Sequence, residues 1–184
     1  MTNESPPVPE EVLTSATERL EADDLTLEEN EELLRALSEL TPIYERERSY
    51  FVLGNYDPEQ RRRLERVVDH LNGRPDAYAF EMSDVRGNWE NGIQKFCLIA
   101  DLVTHIVGVA EKEPSGFLVE QGLLVGTEEY FEKSYVLKRT YPNSDEKYPY
   151  GWMEDGVFEL LAADDRLHEW RTEDELVETA EQVP

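Results

Sequence analysis

The chain has 184 residues, of which 42 are acidic and 18 basic, so its formal net charge is −24. The length fits one domain with a small extension, and a hydrophobic content of 39% excludes a fully disordered chain. This charge argues against general binding to DNA or RNA, which requires a basic surface, and no apolar run is long enough to cross a membrane. The single cysteine, Cys97, excludes an intrachain disulfide and a cysteine zinc site.

The acidic residues are dispersed over predicted helix faces, and thirteen of the 18 basic residues are arginine. Dispersed acidity with little lysine indicates a cytoplasm that holds molar salt, where the Debye length is ~3 Å or less. The N-terminus also lacks the basic and apolar segments of a secretory signal. We therefore expect a halophilic, cytoplasmic protein that associates with no membrane.

The N-terminal part is predicted to consist of a lead and a helical hairpin. Residues 1–9 contain three prolines and no periodic pattern, which predicts a disordered or extended segment. Residues 10–48 are predicted to form the hairpin, with a capping box at Thr26 and Glu29 and an end to the helix at Pro42. The second helix carries an apolar stripe, which needs the main domain or a second subunit as a partner: Leu33, Leu34, Leu37 and Leu40.

Residues 49–184 are predicted to form the main domain. Short apolar runs predict strands at 50–53, 77–82, 104–109 and 135–139. Helical spacing predicts helices from Pro58 to 72, around 93–100 and over 117–125. The remainder is predicted to be irregular, then weakly helical at 157–161, with a last helix opened by Thr172 and Glu175.

Alternating strands and helices are the pattern of an α/β protein. We therefore expect a small parallel sheet of four to five strands with helices on both faces, preceded by the hairpin and followed by a C-terminal helix. In such sheets the ligand lies at the carboxyl ends of the strands. This places Gly54 to Asp57, Asp84, and Glu111 to Glu120 around one crevice.

Three segments between residues 50 and 139 resemble the nucleoside 2-deoxyribosyltransferase family. The first is the strand and glycine turn YFVLGNY at 50–56, and the second is Asn91-Gly92-Ile93 with Asp101 and the strand THIVGV. The third is GFLVEQG at 116–122, which is similar to the nucleophile motif of that family. The resemblance covers about half of the chain and implies a flavodoxin-like fold and action on the N-glycosidic bond of a nucleoside or nucleotide.

The resemblance implies a role for each matching residue. Glu120 would be the catalytic nucleophile, because a carboxylate can attack or stabilise the sugar cation that forms at the anomeric carbon. Asp84 would orient the base or a sugar hydroxyl as the second catalytic residue. The residues that would bind the substrate are Gly54, Asn55, Tyr56, Asn91, Gly116 and Gly122. The family commonly assembles so that neighbouring subunits complete each other's pockets, which favours a homo-oligomer.

Alternative interpretations remain open. Glu120 can be an ordinary glutamate stabilised by a helix N-terminus, and Asp84 can simply cap the next turn. Asn55 and Gln121 depart from the family pattern, which favours a nucleotide-sensing or assembly module without catalysis. The histidines are not spaced as metal ligands, so neither a metal nor a cofactor is expected. The run Arg61-Arg62-Arg63 is predicted to be a solvated helix face.

Overall fold

The computed structural model describes residues 38, 41–85, 92–112, 117–141 and 152–184. Its five strands form one parallel sheet in the order β2-β1-β3-β4-β5. This order is a flavodoxin-like topology and confirms the predicted α/β fold. The strands are β1 (Arg48–Leu53), β2 (Ala77–Glu81), β3 (His105–Ala110), β4 (Ser134–Arg139) and β5 (Leu167–Trp170).

The helices of the described ranges match most of the predicted ones. They are α1 (Thr41–Glu45), α2 (Pro58–Asn72), α3 (Gly92–Leu102), α4 (Phe117–Gly126), α5 (Glu128–Glu132), α6 (Trp152–Ala163) and α7 (Glu173–Ala180), with a 3-10 turn at Met82–Asp84. Helix α1 contains Pro42, where the sequence predicted a helix end, and residues 1–37, 39 and 40, which comprise the predicted lead and most of the hairpin, lie outside the described residues. None of these helices combines the length and apolar character that crossing a bilayer requires.

Strand β1 is wholly apolar over Tyr50 to Leu53 because it is buried on both faces of the sheet. Tyr50 and Val52 pack on one face against α2 and α7, in a core that includes Leu64 and Leu176. Phe51 and Leu53 pack on the opposite face with residues of α3, α4, α5 and α6. The alternation of side chains along a strand therefore supplies two separate cores, and helices cover both faces as predicted.

The fifth strand is short and was not assigned from the sequence. Among the described strands it pairs with β4 alone, from Val136↔Leu167 to Arg139↔Trp170, so β5 forms one edge of the sheet that they build. Trp170 is buried, and its indole N–H donates to the Leu137 carbonyl at 2.9 Å. Helix α7 then begins as predicted, with the Thr172 hydroxyl accepting a hydrogen bond from the Glu175 backbone N–H at 3.2 Å.

Gly54 directly follows β1 and occupies a position with no room for a side chain. A Cβ there would lie 2.6 Å from Leu64 Cδ2 and 3.2 Å from the Val109 carbonyl oxygen. We expect Gly54→Ala to lower the free energy of unfolding by about 1–3 kcal/mol through overpacking. Urea unfolding of both proteins measures this. Gly122→Ala is the matched control, because a Cβ at Gly122 meets nothing within 4 Å. An unchanged midpoint for Gly54→Ala would contradict the prediction.

Candidate functional site

The carboxyl ends of the parallel strands meet at one edge of the sheet, which we call the carboxyl edge. The loop from Gly54 to Asp57 follows β1, the 3-10 turn Met82–Asp84 follows β2, and Glu111 follows β3. Helix α4, which carries Glu120, begins after the β3 loop. The predicted crevice residues that the structure describes therefore belong to segments that leave the sheet at this edge, where open α/β sheets bind their ligands.

Glu120 lies in the first turn of α4 and is partly buried. Burial raises the pKa of its carboxyl from 4.5 to about 7, since the charged form loses hydration. Within the described ranges no hydrogen bond or ion pair engages this carboxylate. A buried and unpaired carboxyl is costly to maintain and is typical of a group that performs chemistry.

Tyr56 lies near both Glu120 and the acidic residues at the end of β2. Its side chain is 40% exposed, and its backbone belongs to the loop after β1. Burial of the phenol, followed by the charges of Glu81, Glu120 and Asp84, raises the Tyr56 pKa well above its ordinary value. The phenol therefore lies close enough to carboxylates of two different segments for their charges to affect it. Two of these carboxylates, Glu120 and Asp84, are residues that the sequence predicted to line one crevice.

Asp84 and Glu81 cap each other across the 3-10 turn. The Glu81 backbone N–H donates to Asp84 Oδ2 at 2.8 Å, and the Glu81 carboxylate accepts from the Asp84 backbone N–H. The turn is also held by Lys95 of α3, whose Nζ donates to the carbonyls of Met82 at 3.0 Å and Val85 at 2.6 Å. Asp84 is exposed and has this structural role, which is the alternative that the sequence left open.

Glu81 was missed as a candidate. Only 4% of its surface is exposed, although it carries a carboxyl at the end of an otherwise apolar strand. Burial first, and then the neighbouring Asp84 charge, raise the Glu81 pKa, while Arg61 and a hydrogen bond from Ser83 lower it. The available signal was its position: an acidic residue ending a buried parallel strand lies at the edge where ligands bind.

The remaining predicted substrate-binding residues have different environments. The Asn55 side chain forms two hydrogen bonds with Asp57. It accepts from the Asp57 backbone N–H at 3.1 Å and donates to Asp57 Oδ2 at 3.2 Å. Gly54 has a packing role, described above, and Gly122 is exposed. Asn91 and Gly116 lie outside the described residues.

Helix α4 carries a second unusual polar group beside Glu120. Gln121 is 4% exposed, and within the described ranges its amide Nε2 has no hydrogen-bond partner. Buried amide donors are nearly always paired, so an unpaired one calls for a physical explanation. Glu120 and Gln121 are neighbours in sequence, but successive residues of an α-helix do not face each other, so the buried Gln121 amide is a separate feature from the Glu120 carboxylate.

A second polar cluster lies at the same edge, on the side covered by α2. We call it the guanidinium cluster and define it as Arg63, Glu111 and Arg139. Arg63 donates to both Glu111 oxygens at 2.8 Å, and Arg139 Nη1 donates to Glu111 Oε2 at 2.8 Å. The Arg139 guanidinium also lies over the rings of Tyr141 at 5.2 Å and Trp170 at 5.0 Å.

The prediction of a solvated face at residues 61–63 is wrong for Arg63. The side chains of Arg63 and Glu111 are only 7% and 5% exposed, so this pair is buried. The reason is helical spacing, since Arg63 precedes the buried Val67 by four residues and lies on the same face of α2. Arg61 and Arg62 remain exposed as predicted.

Within the described ranges, no three histidine, cysteine or acidic side chains are grouped so that they could hold a metal ion. A family model described as "Family of unknown function (DUF8170)" matches residues 1–148. A comparison with curated proteins gave no match. The matched range includes Tyr56, Glu81, Asp84 and Glu120, whereas α6, β5 and α7 follow it.

Proposed function

The chain belongs to DUF8170, a family of unknown function, and we propose that it cleaves or transfers N-glycosidic bonds of nucleosides or nucleotides. One observation carries this proposal: Glu120 presents a partly buried carboxylate, unpaired within the described ranges, at the carboxyl edge. The resemblance of residues 116–122 to a glycosyl-transferring nucleophile motif supports the same role. The Tyr56 phenol lies within reach of the charges of Glu81, Glu120 and Asp84, so the proposed site has further groups that can bind or move protons.

The proposed reaction proceeds in two steps. Glu120 attacks C1′ of the sugar, a C1′–O ester forms as the C1′–N bond breaks, and the electron pair leaves with the base, which takes up a proton. Water or a nitrogen of a second base then attacks C1′, loses a proton and restores the Glu120 carboxylate. Separating the two steps replaces one difficult displacement by two easier ones.

Glu81 is the strongest candidate for delivering the proton to the leaving base. A general acid must hold its proton near the working pH, and burial beside Asp84 raises the Glu81 pKa in that direction. Glu81 also shares the neighbourhood of the Tyr56 phenol with Glu120. Asp84 Oδ2 already accepts from the backbone, so we assign Asp84 to shaping the site and to binding a sugar hydroxyl through Oδ1.

The activity is expected to depend on pH through Glu120. Only the carboxylate form can attack C1′, and burial raises the pKa of this group to about 7. We therefore expect kcat/KM to be low at acidic pH, to rise as Glu120 ionises around pH 7 and to fall again where Glu81, the proposed proton donor, ionises, because kcat/KM reports groups of the free enzyme. Initial rates across a buffer series at constant ionic strength measure the profile. A profile that is flat across neutrality would contradict the assignment of Glu120.

The direct test is product formation. The full chain is incubated with a panel of 2′-deoxynucleosides and their 5′-monophosphates, with and without a second free base. Chromatography detects released base, which indicates hydrolysis, or a new nucleoside, which indicates transfer. Absence of both products across the panel would refute the enzymatic proposal.

Two observations favour a second candidate, a nucleotide-sensing module without catalysis. Asp84, one of the two predicted catalytic residues, is engaged in the capping arrangement with Glu81. Asn55 is likewise engaged with Asp57, its neighbour in the loop. Calorimetric titration with the same panel separates the candidates, since binding without product supports sensing and binding with product supports catalysis.

A further inference from the structure

The two outer strands of the sheet differ in how their outward backbone groups are bonded, and β2 is closed by side chains. The Asn72 amide accepts from the Ala79 backbone N–H at 2.8 Å and donates to the Ala79 carbonyl at 2.8 Å. The next outward N–H, that of Glu81, donates to Asp84 Oδ2 at 2.8 Å. These contacts occupy positions at which another strand would pair, so β2 is protected against strand addition.

Strand β5 presents an open edge. The Arg166 and Trp170 carbonyls accept hydrogen bonds at 2.9 and 2.7 Å from the N–H groups of β4 and of the residue that follows it, so the even-numbered residues bond towards β4. Leu167 and Glu169 therefore direct their backbone N–H and C=O groups away from the sheet, and within the described ranges no hydrogen bond engages these groups. Unpaired backbone groups along an edge are a template for pairing with another strand.

The helices before and after β5 pack on the two faces of the sheet. Helix α6 contributes Leu161 to one core, and α7 contributes Leu176 to the other. Charged side chains commonly guard an edge strand against pairing, and Glu169 is the one charged residue of β5. Its carboxylate lies 3.6 Å from Lys138 Nζ on the adjacent strand, so its charge is countered within the sheet.

A row of rings ends at the same edge. On the face covered by α2 and α7, the rings of Tyr50, His105, Tyr135 and His168 follow one another across four strands, with centroids 5.1, 5.9 and 6.5 Å apart. His168 is the last ring of the row, and its buried Nε2 has no hydrogen-bond partner within the described ranges. The row therefore ends on the open edge at an unpaired polar atom, which calls for a physical explanation.

We propose that this edge binds β5 of a second copy of the chain, in antiparallel orientation about a two-fold axis. The register that uses every outward group of the strand pairs Leu167 with the partner's Glu169, and Glu169 with the partner's Leu167. Each of these pairs exchanges two hydrogen bonds, so the two sheets join into one continuous sheet. The arrangement is self-complementary, as a two-fold interface requires.

The side chains of β5 also match in this register. Each Glu169 lies opposite a leucine, so the two acidic side chains avoid the direct like-charge pairing that destabilises sheets. The two His168 residues meet on the axis as a non-hydrogen-bonded pair, with Cα atoms about 4.5 Å apart. Each unpaired Nε2 thereby gains a polar neighbour, and the row of rings continues into the partner. Both features follow from pairing β5 with itself, which favours a second copy over an unrelated strand.

The oligomeric state of the full chain tests the proposal. Static light scattering at a fixed high potassium chloride concentration is expected to give twice the mass of one chain. Glu169→Pro removes an outward N–H that the pairing requires, and we expect it to give the mass of one chain. Proline is tolerated on an edge strand where its missing N–H faces solvent, and urea unfolding verifies that this variant is folded. Glu169→Gln is the matched control, because it removes the same charge, keeps the N–H and should remain dimeric.

A cross-link supplies a second measurement that does not depend on the proline variant. His168→Cys places two thiols across the two-fold axis, at a Cα separation of about 4.5 Å that a disulfide can span. Oxidation with a disulfide reagent is expected to convert this variant to a covalent dimer. Glu65→Cys is the matched control, because the Glu65 side chain is exposed on α2, and it should stay a single chain. Both variants retain Cys97, so the unmutated chain gives the background.

Three results would each overturn the proposal. The first is the mass of a single chain for the unmutated protein, and the second is a Glu169→Pro variant that is folded and still dimeric. The third is equal cross-linking of His168→Cys and Glu65→Cys, which decides the matter if the proline variant does not fold. None of these measurements uses the proposed activity, so the outcome for the dimer and the outcome for the enzyme are separate.

Discussion

Replacement of Glu120 by glutamine is expected to abolish glycosidic cleavage and transfer while leaving the fold intact. Glutamine keeps the size of the side chain but cannot form the sugar ester, so we expect the rate to fall by roughly 10⁴-fold or more, as when other enzymes lose their nucleophile. The measurement is initial-rate kinetics on the best substrate of the nucleoside and nucleotide panel. Far-ultraviolet circular dichroism verifies that the fold is retained.

Glu129→Gln is the matched control for this variant. Glu129 is an exposed acidic residue on the neighbouring helix α5, and its replacement changes the net charge by the same amount. We expect its rate to equal that of the unmutated chain. Comparable rates for Glu120→Gln and the unmutated chain would exclude Glu120 as the nucleophile.

The same replacement is expected to stabilise the protein at high pH. The folded state raises the Glu120 pKa from 4.5 to about 7, so it binds the proton more tightly than the unfolded state does. Stability therefore decreases as pH rises from about 4.5 to about 7. Glutamine has no charge to desolvate, and we expect a gain of roughly 3 kcal/mol above pH 7 that disappears near pH 4.5. A gain that does not vary with pH would contradict this origin.

Replacement of Glu111 by alanine should cause the largest loss of stability. It would leave Arg63, whose side chain is 7% exposed, and the partly buried Arg139 without their shared carboxylate. Removing one partner of a buried ion pair typically costs about 3–5 kcal/mol, because the remaining charge stays desolvated. Urea unfolding at a fixed high potassium chloride concentration measures the loss without changing the ionic strength.

Glu65→Ala is the corresponding control for an exposed ion pair. The Glu65 carboxylate lies 3.3 Å from Arg61 Nε, and the side chains of Arg61 and Glu65 are 49% and 55% exposed. Exposed pairs contribute only about 0–1 kcal/mol, so this variant should remain near the unmutated midpoint. If Glu111→Ala lost as little stability as Glu65→Ala, the buried ion pair would contribute no more than an exposed one, and the prediction would be wrong.

The order of elements could be predicted because each central strand is buried on both faces. Such strands leave an uninterrupted apolar run, as in Tyr50 to Leu53, which is visible without any knowledge of neighbours. Strand β5 could not be recognised in this way, because it lies at an edge and its sequence, LHEW, includes polar residues. Its identity as a strand depends on pairing with β4, a contact that no local pattern encodes.

Local sequence singled out only part of the candidate site. The residues around Glu120 marked it through their resemblance to a nucleophile motif, and the glycine turn marked Tyr56, but nothing local indicated that the Tyr56 phenol lies near carboxylates. Glu81 was passed over because the strand was recognised from its apolar residues alone, although an acidic residue that ends such a strand lies at the edge where ligands bind. Arg63 and Glu111 are 48 residues apart, so their pairing depends on the packing of α2 beside the end of β3.

The enclosure of the guanidinium cluster gives this acidic protein two classes of charge that respond differently to dissolved ions. Mutual repulsion among the outer carboxylates is weakened by the surrounding ionic atmosphere and grows when the medium is diluted. The buried Arg63–Glu111 ion pair is screened much less by dissolved salt, so its strength changes little with ionic strength. Dilution would therefore loosen the periphery first, while the ends of the central strands stay joined.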